Sequence, residues 1–133
     1  MQSKDQIAPL VSIALATYNG ERFLAEQLDS LLQQTYQNFE VVISDDGSTD
    51  QTKQILEVYA AKDARVQWSL NTRPRGLITN FESAVRRCKG EIIFLCDQDD
   101  FWYPEKLEKH VAAYSGKGVM WVYNEVRLTG QEN

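Results

Sequence analysis

The sequence predicts an α/β fold, an open and mostly parallel sheet with helices on both faces. Three observations carry that prediction. Short apolar runs alternate with segments of helical period along the chain. One run, "IIFLC" (Ile92 to Cys96), has no polar alternation, as expected of a strand covered on both faces. Polar clusters follow the first, second and fourth runs, where an open parallel sheet binds its ligands beyond the carboxyl ends of its strands.

The elements follow in order. "LVSIALA" (Leu10 to Ala16) opens the chain as a strand, and Leu24, Leu28, Leu31 and Leu32 mark the apolar stripe of a first helix. "FEVVIS" (Phe39 to Ser44) is the second strand, followed by a helix marked by Ile55, Leu56 and Tyr59. "VQWSL" (Val66 to Leu70) is the third, followed by a stripe of Ile78, Phe81, Val85 and Cys88. After "IIFLC" a fourth helix starts near Pro104, since proline suits a first helical turn, and carries Leu107, Val111 and Tyr114 inward. "VMWVY" (Val119 to Tyr123) reads as a fifth strand. No repeat or linker interrupts this, so residues 1–133 are expected to form one domain. With 43% hydrophobic and 25% charged residues, the chain has apolar material enough for one real core.

A net charge of −5 argues against a nucleic-acid surface. A phosphate-bearing ligand would then need a cation or a helix N-terminus. No apolar stretch approaches the ~20 residues of a membrane span, and the polar start "MQSKDQ" does not read as a signal peptide. Cys88 and Cys96 fit no metal spacing and no disulfide framework; as reduced core thiols they point to a cytoplasmic protein.

If the strand order runs 3-2-1-4, the three polar clusters converge on one rim. In "DDGSTD" (Asp45 to Asp50), Ser48 with Gln51 reads as a capping box, Asp50 favours the helix dipole, and Gly47 permits a tight turn. That leaves the adjacent acids Asp45 and Asp46, and Asp46 is the candidate for a role at the rim. In "DQDD" (Asp97 to Asp100), Asp100 suits a turn or cap. Asp97 and Asp99 instead alternate along an extended chain and present carboxylates on one side. Hard divalent cations take such ligands, and Mg²⁺ or Mn²⁺ commonly combines one or two carboxylates with substrate phosphates. "TYNG" (Thr17 to Gly20) reads as a turn in which Asn19 or Gly20 takes an unusual backbone angle. Phe101, Trp102 and Tyr103 either cover a ligand or pack the core, and His110 reads as a partly exposed helix residue. Arg73, Arg75, Arg86 and Arg87 form a basic patch, of which Arg75, just ahead of the third helix, is placed to reach phosphate.

"ATYNG", "VVISDDGSTD" and "KGEIIFLCDQDDFWYPEKLEKH", each in its place among strands and helices, together resemble the family 2 glycosyltransferases of GT-A fold. The resemblance runs from about Leu10 to Val126, and "CDQDDFW" is most similar to the bacterial branch that includes rhamnosyltransferases of surface polysaccharide synthesis. It implies a Rossmann-like GT-A sheet and a nucleotide-diphosphate sugar donor, dTDP- or UDP-linked. It further implies a Mn²⁺ or Mg²⁺ cofactor and a saccharide or lipid-linked saccharide acceptor. By the same resemblance Asp46 recognises the pyrimidine base, and Ala16, Thr17 and Tyr18 line the nucleotide pocket. Arg75 lies in the loop near the donor, Asp97 lies near the ribose and the metal, and Asp99 helps to hold the metal. The family's catalytic base belongs to an acceptor-side half expected beyond Asn133. The chain is therefore expected to be a donor-binding half, cytoplasmic, with any membrane-surface contact made by a further C-terminal part.

Rival α/β readings lack their motifs. A receiver domain needs an acid pair after the first strand, where this chain has "TYNG", and a dinucleotide-binding oxidoreductase needs Gly-x-Gly-x-x-Gly there. A dehalogenase-like phosphatase would put its Asp-x-Asp after the first strand, not the fourth. A non-catalytic module that binds sugar nucleotides, or scaffolds an assembly, remains the alternative.

Overall fold

The computed structural model describes residues 8–113. Four strands, β1 (Val11–Thr17), β2 (Phe39–Asp45), β3 (Val66–Leu70) and β4 (Ile92–Asp97), alternate with α1 (Leu24–Leu32), α2 (Thr52–Lys62), α3 (Leu77–Arg86) and α4 (Lys106–Ala113). The sheet has the order β3-β2-β1-β4 and every pairing is parallel. Because the chain runs outward to β3 and then returns to the far side of β1, the order in which strands are added reverses between β1 and β4. Ala16 there pairs with Ser44 on one side and Asp97 on the other, so the carboxyl ends of β2 and β4 flank that of β1. "VMWVY" and Tyr114 lie outside the described residues.

The core sits on the face that buries Val11, Ile13 and Leu15 of β1, Val41 and Ile43 of β2, and Phe94 and Cys96 of β4. Leu24, Leu28 and Leu31 of α1 are fully buried against it, as the 3.6-residue period requires. α1 also fixes the chain that leaves β4. Ser30 Oγ accepts from the Trp102 N–H at 3.2 Å, and Gln34 Oε1 accepts from the Leu107 N–H at 3.0 Å, satisfying an open donor in the first turn of α4. Trp102 packs on Phe94 with ring centroids 5.7 Å apart, while Phe101 and Tyr103 remain exposed. Of the two uses weighed for this aromatic trio, Trp102 serves the core. His110 is half-buried, edge-on to Phe94. Val111 packs against the core as expected.

Two expectations need correction. β4 is not covered on both faces among the described residues: Phe94 and Cys96 are buried, but Ile93 and Leu95 are 41% and 58% exposed. Among the described residues β4 is the outermost strand on its side, and α3 packs over β1 and β2 instead. The inward stripe of α3 is also shifted. Asn80 and Ala84 are its buried residues, Val85 and Cys88 pack beside them, and Ile78 is 75% exposed. α3 crosses Ala14 and Val42, where a small residue lets the helix approach, and Asn80 is drawn inward because its Nδ2 donates to the Thr17 carbonyl at 3.1 Å.

Candidate functional site

The carboxyl end of β1 opens into a recess of about 600 Å³, a size typical of small-ligand pockets. Its wall includes Ala16, Thr17, Tyr18, Asp46, Arg75, Asp97 and Asp99, the residues singled out from the sequence, which span Ala16 to Asp99 in the chain. Gly76, Leu77, Asn80 and Gln98 also line it, none of them singled out individually from the sequence.

The adjacent acids of "DDGSTD" divide sharply. Asp45 is fully buried at the end of β2. Its Oδ1 accepts from the hydroxyls of Thr17 and Ser48, both at 2.7 Å, and its Oδ2 accepts from the N–H groups of Gly47 and Ser48 at 3.0 and 2.8 Å. A carboxylate that accepts four bonds holds a turn, here one in which Gly47 takes φ of +88°. Asp46, the next residue, faces the recess instead. Its Oδ1 accepts from Asn71 Nδ2 and its Oδ2 from the Gly76 N–H, both at 2.9 Å. Each carboxylate oxygen has two acceptor sites, so capacity for a ligand N–H remains.

The capping box expected of Ser48 and Gln51 does not form. α2 begins at Thr52, and Ser48 Oγ is taken by Asp45 and by the N–H of Asn19, to which it lies at 2.8 Å. Asp50 Oδ1 accepts from the Thr52 N–H, and Glu21 Oε1 accepts from the Gln51 N–H, both at 2.9 Å. The open donors at the start of α2 are thereby met from outside the helix. Asn19, with φ of +47°, is the residue of "TYNG" with the unusual angle, and its Oδ1 accepts from the Thr49 N–H at 2.8 Å. The two loops are laced together, and the turn reading of "TYNG" holds.

Tyr18, exposed at the mouth, meets Arg75 from the loop before α3. The Arg75 guanidinium lies 4.4 Å from the ring centroid, and its Nη2 donates to the Tyr18 hydroxyl at 2.5 Å. A cation and an aromatic face are thus presented together. Arg73 is engaged elsewhere, by Glu82 at 3.0 Å. Arg87 donates to Ser69 Oγ and to the Ile43 carbonyl, so the basic patch does not act as one unit. Asn80 is almost fully buried in the recess wall, and its Oδ1 has no partner among the described residues.

At the end of β4, partial burial raises the Asp97 carboxyl above its ordinary value, and the charges of Asp100 and Asp99 raise it further. Asp100 folds back over the turn, its Oδ2 accepting weakly from the Asp97 N–H at 3.4 Å. Among the described residues, no group of three or more His, Cys, Asp or Glu side chains could hold a metal ion alone. A divalent cation there would draw two carboxylates from Asp97 and Asp99 and its other oxygens from phosphate or water. This is the usual ligand set for Mg²⁺. The donor set fits such an ion, and the crowded acids have a reason to exist if one binds.

Residues 12–129 match the family model "Glycosyl transferase family 2". The UDP-Glc:alpha-D-GlcNAc-diphosphoundecaprenol beta-1,3-glucosyltransferase WfgD of Escherichia coli is 29% identical over 119 residues, which is 90% of this chain and 46% of WfgD. Among solved structures, TarS 1-349 of S. aureus in complex with UDP superposes with a TM-score of 0.65 at 31% identity, covering 77% of this chain and 31% of that one. The mannosyltransferase PcManGT of Pyrobaculum calidifontis, in complex with GDP-Man and Mn²⁺, gives 0.64 at 31% identity over 73% of this chain and 29% of that one. The chain spans less than half the length of each of these proteins.

Proposed function

Since the chain belongs to glycosyl transferase family 2, we propose that its recess holds the nucleotide-diphosphate sugar donor of a glycosyltransferase. The observation that carries this reading is the convergence of Tyr18, Asp46, Arg75, Asp97 and Asp99 on one recess, with Asp46 just past the end of β2 and Asp97 at the end of β4, on either side of β1. A nucleoside at one end and a diphosphate at the other is the ligand such a division suits.

In this reading Asp46 accepts a hydrogen bond from the N3–H of uracil or thymine, and the ring lies against Tyr18. Ala16 and Thr17 form the floor, with the Thr17 hydroxyl committed to Asp45. Arg75 orients the donor from the α3 side, and Asp97 faces the ribose. Asp97 and Asp99 hold Mn²⁺ or Mg²⁺, which when bound neutralises the diphosphate as it leaves. Transfer itself, to a saccharide or lipid-linked saccharide of a surface polysaccharide, is proposed for the whole protein. Activating an acceptor hydroxyl requires a positioned base, which we place in an acceptor-side part beyond Asn133. We place the protein in the cytoplasm, where such donors are made, with any membrane contact through that further part. No helix among the described residues is long and apolar enough to cross a membrane.

The "CDQDDFW" form favours dTDP-rhamnose as the donor, with UDP sugars second; the UDP bound to TarS and the UDP-Glc in the name of WfgD add weight to UDP. PcManGT binds GDP-Man, so base choice needs its own test. Competition among UDP, dTDP, CDP and GDP under Mn²⁺ supplies it. A charge-assisted bond from N3–H is worth ~1.5–3 kcal/mol, so UDP and dTDP should bind about tenfold or more tighter than CDP, which lacks that proton. GDP or CDP competing as well as both would refute the role of Asp46. A full-length protein that binds donor but neither hydrolyses nor transfers sugar would favour the non-catalytic module.

A further inference from the structure

We propose that Gln98, between the two candidate metal-binding acids, is a positioning residue that couples the metal end of the recess to its nucleotide end. The inference rests on the donor-site reading and deepens it. The parallel ladder between β1 and β4 ends at the pairing of Ala16 with Asp97. One residue later the Gln98 side chain continues it. Its Oε1 accepts from the Tyr18 N–H at 2.8 Å, and its Nε2 donates to the Tyr18 carbonyl at 3.0 Å. A side-chain amide thus makes both bonds that a neighbouring strand's backbone would make to Tyr18.

Gly20 makes room for it. A Cβ on Gly20 would lie 2.3 Å from Gln98 Oε1 and 2.5 Å from its Cδ, inside any tolerable contact. The Gly20 backbone cannot retreat freely, because its N–H donates to Thr52 Oγ1 at 2.8 Å and its carbonyl accepts from the Phe23 and Leu24 N–H groups. "TYNG" and "DQDD" are therefore two halves of one fitting: the glycine of the first admits the glutamine of the second.

The consequence concerns spacing across the ligand. Tyr18 carries the stacked Arg75, and Gln98 lies between Asp97 and Asp99 in the chain. Fixing Tyr18 to residue 98 sets the separation between the two ends before any ligand arrives, which lowers the cost of engaging both at once. Nucleotide and metal should then bind cooperatively through this link.

The test uses Gln98→Met, which keeps the side chain's length and removes both bonds, and Gly20→Ala, which evicts Gln98 without altering it. Residue-resolved amide exchange of the ligand-free chain should show Tyr18 protected in the wild type and exchanging roughly tenfold or more faster in both variants, with Ala14 and Leu15 unchanged. UDP titrations with and without Mn²⁺ should show a gain in affinity of roughly tenfold in the wild type, reduced to about threefold or less in the variants. An unprotected Tyr18 in the wild type overturns the proposal, as does an unchanged Mn²⁺ gain in variants that still bind UDP. A wild type that binds no UDP overturns the donor-site reading, and the coupling with it.

Discussion

Asp45→Ala lowers the melting temperature of the chain by ~10 °C or more, whereas Asp46→Ala, one residue on, leaves it within a few degrees. Asp45 is fully buried, and its loss leaves the Thr17 and Ser48 hydroxyls and the Gly47 and Ser48 N–H groups without their acceptor. Hydrogen bonds to a charged acceptor are worth ~1.5–3 kcal/mol each and are not additive, so ~3 kcal/mol is a conservative loss for the set. Water can reach part of the turn, since Gly47 is exposed, but not the Thr17 hydroxyl. Among the described residues Asp46 holds just Asn71 and the Gly76 N–H. Its replacement should instead weaken UDP and dTDP by about tenfold or more, leaving metal binding intact. Thermal melts and titrations of the two variants decide the matter. Equal melting temperatures would deny Asp45 its structural role, and undiminished UDP binding by Asp46→Ala would deny Asp46 its ligand.

Asp99→Asn removes the metal's contribution to nucleotide binding without destabilising the chain. Asp99 is exposed, and its charge is one of those that raise the Asp97 carboxyl. Taking that charge away relieves repulsion while nothing is bound, so the ligand-free variant should melt at or slightly above the wild type. With Mn²⁺ and UDP present, the wild type should gain several degrees through linkage, and the variant should gain little. A variant that melts well below wild type in the absence of ligand would show Asp99 to be structural. The effect differs in kind from that at Asp46, because loss of the metal carboxylate should impair metal-dependent binding of any nucleoside diphosphate, whatever its base.

Much of this architecture was legible because its causes are local. The apolar runs, the period of α1 and the position of each polar cluster after a strand follow from residues close in sequence. Strand order then brought the clusters to one rim. What was missed depends on contacts between distant segments. α3 was misaligned because the pull of the Thr17 carbonyl on Asn80 cannot be seen in a hydrophobic stripe. The capping box failed because Ser48, a good cap by its neighbours, is claimed by Asp45 and Asn19. β4 reads as buried on both faces because an apolar run does not reveal that, among the described residues, no helix packs over Ile93 and Leu95. Gln98 was passed over between two acids. Its one signal in the sequence is a long amide where a turn needs no side chain at all; that it lies against Gly20 is visible only in the structure.

The central claim is that this recess binds a pyrimidine nucleoside diphosphate with the help of a divalent cation. Calorimetric titration of the purified chain with UDP and dTDP, each with and without Mn²⁺, tests it most directly. The account predicts one-to-one binding of at least one of the two, strengthened by Mn²⁺ roughly tenfold. No binding of either nucleotide in the presence of Mn²⁺, or binding that Mn²⁺ leaves unchanged, would contradict it.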